Sequence, residues 1–431
     1  MLVNALKPTP VVSFQEFPGL YHGRKKGVYE RAVNQLLRIR SCAKVGENPF
    51  REPAQKWAAG SIFVKSEKIV GKDDSAPRII TPRHPCYNVL IGVYLKNFEK
   101  ALFKKVSRVF PGVYVAKGLN AESCGSVIAK EWSKYKDPIA ISLDAERFDQ
   151  HVSQTALRFE HSIYNRVFRS EWLAWLLTLQ LVTTASAMYS DGTVSFKKKG
   201  GRCSGDMNTG LGNCILMCAM IWSYFDQIHV PFSLINNGDD CVVIIERSHE
   251  PETASLQGWF AEMGFSMKRE ATVDVLEHIE FCQAHPIRTS LDRTVMVRNP
   301  DVTMVKDNLS QLPCETIEQW NFARKAIGDC QMALHSDIPI MSAYAACMLR
   351  GVPSTTKSRN TKEFTCGMHY LADGMQSGNV VTDLARVSFG LAFGYCPARQ
   401  VEIEEQLRNV VPRYSPTDSR EISRIITTRS F

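Results

Sequence analysis

Three carboxylates and a short run of small polar residues are the parts of this chain best suited to chemistry. The stretch 235–246, INNGDDCVVIIE, sets Asp239 and Asp240 side by side where a hairpin turns. Leu234 and Ile235 read as the end of one strand, and Cys241 to Ile245 as a nearly continuous apolar second strand. Asn237-Gly238 tolerates the positive φ of a tight turn between them. Adjacent negative charges at such a tip repel unless a cation offsets them. Asp and Gly are also ordinary turn residues, so the tripeptide by itself reads better as a solvated turn. Asp144 closes a second candidate strand, Ile139 to Leu143. If that strand lies beside the hairpin, Asp144 and Asp239 can jointly hold Mg²⁺, a hard ion that favours oxygen ligands and bound phosphate. Two such ions about 3.5–4 Å apart activate an attacking hydroxyl and stabilise a leaving oxygen. Asp240 then either binds directly or shapes the field.

A second polar set lies around this one. Asp149 falls five residues after Asp144, in the first turn of an expected helix, where a carboxylate also serves as a cap or dipole partner. In GRCSGDMNTGLGN, Ser204-Gly205 makes a small loop, and Thr209 and Asn213 share one face of the helix that follows. Each has an ordinary alternative, Ser204 as a cap and the other two as satisfied polar groups near a helix start. The stretch FVKSEKIVGKDDSAPRIITPRHPCYNV carries Lys65, Lys68, Lys72, Arg78 and Arg83. Glu67, Asp73 and Asp74 dilute it as a charge run, yet Pro77 and Pro82 stiffen the chain beside the two arginines. Rigidly placed guanidinium groups suit triphosphate or RNA-phosphate recognition.

The elements that must position these groups follow from composition and periodicity. At 431 residues the chain exceeds what one core usually supports, so two or three subdomains are expected. A hydrophobic content of 44% with 22% charged residues is that of a globular protein, and the formal charge of +8 suits a polyanionic partner. Thirteen singly scattered cysteines, with no CxxC pair, argue against a structural zinc site and a disulfide framework and fit a reducing compartment. No secretory signal opens the chain, and its longest apolar stretch, 211–225, is too short to span a membrane. Helical periodicity is expected over 87–110, 211–225 and 256–263, and a basic amphipathic helix near 23–40. Strands are expected at 139–143, in two hairpins (GTVSFKKKGG and the Gly238 turn) and at 279–282, with a mainly helical region from Pro286 onward. This is an α+β pattern, with helices packed on a small antiparallel sheet.

Taken together, the motifs resemble the RNA-dependent RNA polymerases of positive-strand RNA viruses, most closely the tombusvirus and carmovirus group. Asp-x4-Asp (Asp144, Asp149), Ser-Gly-x3-Thr-x3-Asn (Ser204, Gly205, Thr209, Asn213) and Gly-Asp-Asp (238–240) occur in that family's order and at compatible separations. DAERFDQHVS, SGDMNTGLGN, NNGDDCV, IEFCQ and RVSFGLAFGYCPARQ also look like that group, so the resemblance runs from about Gly23 to Glu405. Cys203 and Gly201 depart from it, standing where bulkier residues are expected.

The resemblance implies a right-hand polymerase: fingers, a palm with a small antiparallel sheet, and a mainly helical thumb. Residues 1–138 would be the N-terminal region and fingers, 139–150 and 200–286 the palm, 151–199 a fingers insertion, and 287–431 the thumb and C-terminal tail. It implies two Mg²⁺ ions, replaceable by Mn²⁺, on Asp144, Asp239 and Asp240. It also implies readout of the ribose 2′-hydroxyl by Asp149, Ser204, Thr209 and Asn213 on the Ser204-Gly205 loop. Nucleotides would pass Lys65, Lys68, Arg78 and Arg83, and Lys268 in GFSMKRE would protonate departing pyrophosphate. IEFCQ would be a primer-grip turn, and residues 115–125 a loop that admits template. RNA template, nascent RNA and NTPs are the implied partners. A viral membrane-anchoring replication protein and host factors, or a longer precursor, would bring the enzyme to membrane-associated complexes in the host cytoplasm. Two other classes stay open: a catalytically idle RNA-binding scaffold, and a reverse transcriptase, which shares the palm chemistry but has no use for 2′-hydroxyl readout.

Overall fold

The computed structural model describes residue 6 and residues 9–68, 77–309, 315–356, 367–375 and 380–414. Lys72, Asp73, Asp74 and the basic tail beyond 414 lie outside the described residues. The described chain forms two compact units. Residues up to 65, 77–117 and 134–274 make the first, and residues 66–68, 118–133 and those from 275 onward make the second.

The first unit is α+β and centres on a five-stranded sheet. Its strands are β1 (Val113–Val115), β2 (Pro138–Glu146), β3 (Ser233–Asn236), β4 (Asp240–Glu246) and β5 (Ser266–Arg269), in the order β5-β2-β4-β3-β1. All neighbours are antiparallel except β1 and β3, which pair in parallel, so the sheet is mixed where an antiparallel one was expected. Ile139, Ile141 and Leu143 of β2 and Cys241, Val243 and Ile245 of β4 enter the main core, and the alternate residues Ala140, Val242 and Ile244 are buried too. Burial on both faces explains why β4 reads as a continuous apolar run.

β2 is longer than the apolar run 139–143 suggests. Ala145 and Glu146 stay in the ladder because they pair with Met267 and Ser266 of β5, a strand that its mixed polarity hides in the sequence. The strand stops at Arg147, whose φ of 50° turns the chain into the short helix Phe148–His151. The long helix Pro85–Val109 starts on a proline, with the His84 ring accepting the Cys86 N–H at 3.2 Å. Gln154–Phe168 is capped by Ser153, whose hydroxyl accepts the Ala156 N–H at 3.1 Å. Thr209–Ile228 ends on His229 in the left-handed region.

In the second unit the strand expected at 279–282 is absent. Cys282 and Gln283 both have positive φ (55° and 60°), and Phe281 and Ala284 exchange backbone hydrogen bonds across them. IEFCQ is therefore a tight turn leading into the hairpin Ala284–Arg288/Thr294–Arg298, so the helical region begins after 298 rather than at Pro286. Helix Ala121–Trp132 packs on the Thr294–Arg298 strand, where a Cβ on Gly125 would stand 2.5 Å from the Thr294 carbonyl oxygen. Helices Pro300–Asn308, Ile317–His335, Met341–Leu349, Asp383–Phe393 and Pro397–Asn409 complete the larger elements.

Candidate active site

The sheet brings the three carboxylates to one end of β2 and β4. Asp144 lies directly opposite Asp240 in the β2–β4 ladder, and the Ala145 N–H donates to the Asp239 carbonyl oxygen at 3.3 Å. Asp144 and Asp239 are exposed and Asp240 half-buried. The turn that holds them is tied to itself. Asn236 Nδ2 donates to the Gly238 carbonyl at 2.9 Å, and Asn236 Oδ1 accepts the Gly238 N–H at 3.2 Å. Gly238 sits at φ 103°, which a side chain would strain. A cation also stands at the turn: Lys117 Nζ donates to Asn237 Oδ1 at 3.1 Å. Lys117 lies in VAKG, where nothing in the local sequence points to the hairpin some 120 residues away.

The residues around Ser204 form a second cluster. Asp149 accepts from the Ser204 hydroxyl at 2.6 Å and from Asn213 Nδ2 at 2.8 Å. Asn213 Oδ1 is buried and accepts no hydrogen bond from the protein. Thr209 turns inward instead, donating to the carbonyl oxygens of Cys203 at 2.9 Å and Asp206 at 3.1 Å. Gly205 is a close-approach glycine, since a Cβ there would meet Pro82 Cα at 2.6 Å. Gly201, the unexpected small residue, sits at φ 78°. Cys203 is buried, which pushes its thiol up to about 11.

Beneath that cluster lies a buried polar network that the sequence reading missed. Arg202 Nη2 pairs with Glu160 Oε2, both side chains 0% exposed. Glu160 Oε1 also accepts from Tyr164 Oη at 2.7 Å and Asn208 Nδ2 at 2.6 Å. Asn208 and Gln180 bond each other, and Gln180 meets His161 Nε2 at 3.1 Å. Burial works to raise the Glu160 pKa. The Arg202 guanidinium, His161 and two hydrogen bonds outweigh it, so the carboxyl is held below its ordinary value. The legible signal is Glu160's place on the stripe Leu157, Glu160, Tyr164, Val167, which is otherwise the buried apolar face of its helix.

The basic residues separate. Lys65 and Arg78 are held together by the ribbon Phe63–Val64/Ile79–Ile80, with the Lys65 N–H donating to the Arg78 carbonyl at 2.8 Å. Lys68 donates to the Lys306 carbonyl at 2.6 Å in the second unit. Arg83, expected to face a nucleotide, is 2% exposed. Its Nε pairs with Asp206 at 2.5 Å, Nη1 donates to the Ala58 carbonyl, and Nη2 donates to Thr183 Oγ1 at 3.1 Å. Pro82 packs against Gly205, and Arg83 beside it turns into the interior rather than out to solvent. Lys268 lies opposite Asp144 in the β5–β2 ladder, exposed, with Nζ 3.1 Å from Glu270.

Among the described residues no group of three or more His, Cys, Asp and Glu side chains forms a metal cage. An open edge of carboxylates nevertheless fits Mg²⁺, which keeps waters and substrate phosphates in its shell and takes only one or two protein carboxylates. Among the described residues no helix is long and apolar enough to cross a membrane.

Comparison with known proteins agrees with this geometry. Residues 2–413 match the profile of a family described as viral RNA dependent RNA polymerase. An RNA-directed RNA polymerase of Tobacco necrosis virus (strain A) is 39% identical over 433 residues, covering 97% of this chain and 57% of that protein. Those of Pothos latent virus (isolate Pigeonpea/India) and Panicum mosaic virus (strain United States/Kansas 109S) are 38% and 41% identical. The alignments cover 94% and 91% of this chain, against 53% and 39% of those proteins. The chain thus spans about half the length of the curated relatives it matches. It belongs to the viral RNA-dependent RNA polymerase family, in the tombusvirus- and carmovirus-like group that its motifs resemble.

Proposed function

We propose that this chain carries out template-directed RNA synthesis, joining the 3′-hydroxyl of a growing RNA to the α-phosphate of a paired NTP with loss of pyrophosphate. The observation that carries the reading is the cross-strand pairing of Asp144 with Asp240, with Asp239 in the adjoining turn. These three carboxylates would hold two Mg²⁺ ions, with Mn²⁺ able to substitute. Such ions, when bound, activate the attacking hydroxyl and stabilise the leaving oxygen.

The chain's own groups supply the rest. Asp149, Ser204 and Asn213 form one hydrogen-bonded unit. A ribose 2′-hydroxyl can exchange hydrogen bonds with this unit, whereas a deoxynucleotide loses them, at a cost of about 0.5–1.5 kcal/mol each. Thr209 supports this unit by pinning the loop, and Gly205 by letting it approach Pro82. Lys65, Lys68 and Arg78 would meet triphosphate or template backbone, and Lys268 is the proton donor to pyrophosphate. Residues 1–138 and 151–199 would supply the fingers, 139–150 and 200–286 the palm, and 287–431 the thumb and C-terminal tail. The turn at Cys282-Gln283 would grip the primer end. Template and nascent RNA would be held through their backbones, so binding weakens with salt. A membrane-anchoring viral partner or a longer precursor, together with host factors, would place the enzyme at membrane-associated complexes in the host cytoplasm.

The test is RNA synthesis by the purified chain on a short single-stranded RNA with labelled NTPs and Mg²⁺ or Mn²⁺, beside Asp239→Ala. Template-length product from the wild type alone is expected. No product from folded, RNA-binding wild type points to an idle scaffold, and equal use of dNTPs points to a reverse transcriptase.

A further inference from the structure

Ser204 sits between two buried ion pairs, two residues away on either side. Arg202 meets Glu160 with both side chains 0% exposed, and Asp206 meets Arg83 with the two at 2% and 1%. Burying four charges around one small loop is expensive, and replacing such pairs with well-packed apolar side chains is commonly neutral or stabilising. Stability alone is therefore a poor reason for the arrangement, and geometry is a better one.

The contacts show what geometry is set. The Gly201 N–H donates to the Val152 carbonyl and the Arg202 N–H to the Asp149 carbonyl, each at 2.7 Å, so one arm is anchored on the same segment that carries the Asp149 carboxylate. The Gly205 and Asp206 N–H groups both close on the Cys203 carbonyl, at 2.7 and 3.0 Å, making a tight turn with Ser204 in it. The other arm fixes that turn to Pro82-Arg83, against which Gly205 packs. Between the arms, the Ser204 hydroxyl has Asp149 as its partner at 2.6 Å. The first arm is matched by a cutaway on the neighbouring helix, because a Cβ on Gly212 would stand 2.4 Å from the Glu160 carboxylate.

We propose that Arg202–Glu160 and Arg83–Asp206 are a positioning clamp that holds the Ser204 hydroxyl on Asp149 and thereby sets the enzyme's preference for ribose over deoxyribose. This rests on the polymerase reading above and adds to it four positioning residues, none of which touches substrate. It also gives Arg83 a role that its burial permits.

The experiment is single-nucleotide addition on a defined primed RNA template, measuring kcat and KM separately for ATP and 2′-deoxy-ATP. The proteins are wild type, Glu160→Gln, Ser204→Ala and the double variant. Glu160→Gln keeps shape and removes the charge. The expected result is about a tenfold fall in the ATP to 2′-deoxy-ATP ratio of kcat/KM, carried by ATP. The double variant should show no further fall beyond Ser204→Ala, since the clamp acts through that hydroxyl. A ratio within about twofold of wild type, or losses that multiply in the double variant, overturns the clamp while leaving the polymerase intact. If circular dichroism shows Glu160→Gln unfolded, Arg83→Lys carries the test with the same two outcomes, because Lys cannot reproduce the three-way contact of the guanidinium. Wild-type protein that adds neither nucleotide overturns the polymerase reading and this inference with it.

Discussion

The turn at Gly238 and the loop at Ser204 stand on the same unit and are built on opposite plans. At the turn, Asp144 and Asp239 are exposed, and most of the order comes from the backbone ladder and from Asn236 bonding its own turn. At the loop, a buried network of Arg202, Glu160, Asn208 and Gln180 and a second buried pair, Arg83–Asp206, surround one hydroxyl. Under the proposed function the contrast separates two tasks. Groups that bind cations and phosphate must keep water and substrate within reach, so the protein leaves them near solvent on an ordered backbone. Groups that distinguish one hydroxyl from its absence must not move, so their support is buried and charged.

That contrast can be broken from either side. Replacing Asp239 with Ala removes an exposed carboxylate. Nucleotide addition should fall at least about a thousandfold, about 4 kcal/mol of transition-state stabilisation, with unfolding changed by no more than about 0.5 kcal/mol. Steady-state addition rates and a denaturant melt check both. Glu160→Ala should do the reverse in stability, costing about 3–5 kcal/mol because Arg202 is left charged and buried. The same melt reads it. Gly212→Ala sharpens the comparison, since the added methyl must displace the Glu160 carboxylate. A cost of about 1–3 kcal/mol is expected, with a lowered ribose preference at permissive temperature. Lys117→Gln removes a side-chain cation bonded to the turn, and about a fivefold loss of addition rate, near 1 kcal/mol, is expected with little change in the ATP to 2′-deoxy-ATP ratio.

Acidification distinguishes the regions more gently. Burial, reinforced by Arg202, holds His161 below its ordinary 6.5, although Glu160 pulls the other way. The unfolded chain therefore takes up a proton that the folded chain resists, and stability present above pH 6.5 is lost as pH falls through that range. Glu160, held below its ordinary 4.5, adds a second loss below that value. Each contributes a slope of at most about 1.4 kcal/mol per pH unit. Melts of wild type and His161→Asn between pH 7 and 4 should differ chiefly below pH 6.5, with the variant flatter.

Much of the site was readable in the chain. The hairpin around Gly238, the strand carrying Asp144 and the helix carrying Asn213 all follow from period and turn chemistry, which act between near neighbours. The resemblance grouped Asp149, Ser204, Thr209 and Asn213; the structure joins Asp149, Ser204 and Asn213 by hydrogen bonds, while Thr209 bonds the Cys203 and Asp206 carbonyls. Arg83 was read outward because proline-stiffened arginines in a basic stretch look like a phosphate surface. Only its bonds to Ala58, Thr183 and Asp206 show it turned in. The strand Ser266–Arg269 escaped notice because Lys268 and Arg269 interrupt any apolar pattern, and its pairing with β2 decides it.

The sequence by itself determined the order of the motifs, the mixed helix-and-strand class and the identity of the carboxylates, because these depend on residue type and on spacings of a few residues. The tertiary structure alone decided which charges are partners. Glu160 and Arg202 are 42 residues apart, and Arg83 and Asp206 are 123. A charge has no preferred partner along the chain until folding removes water from around it, and only then does its pairing carry enough energy to hold a loop in place.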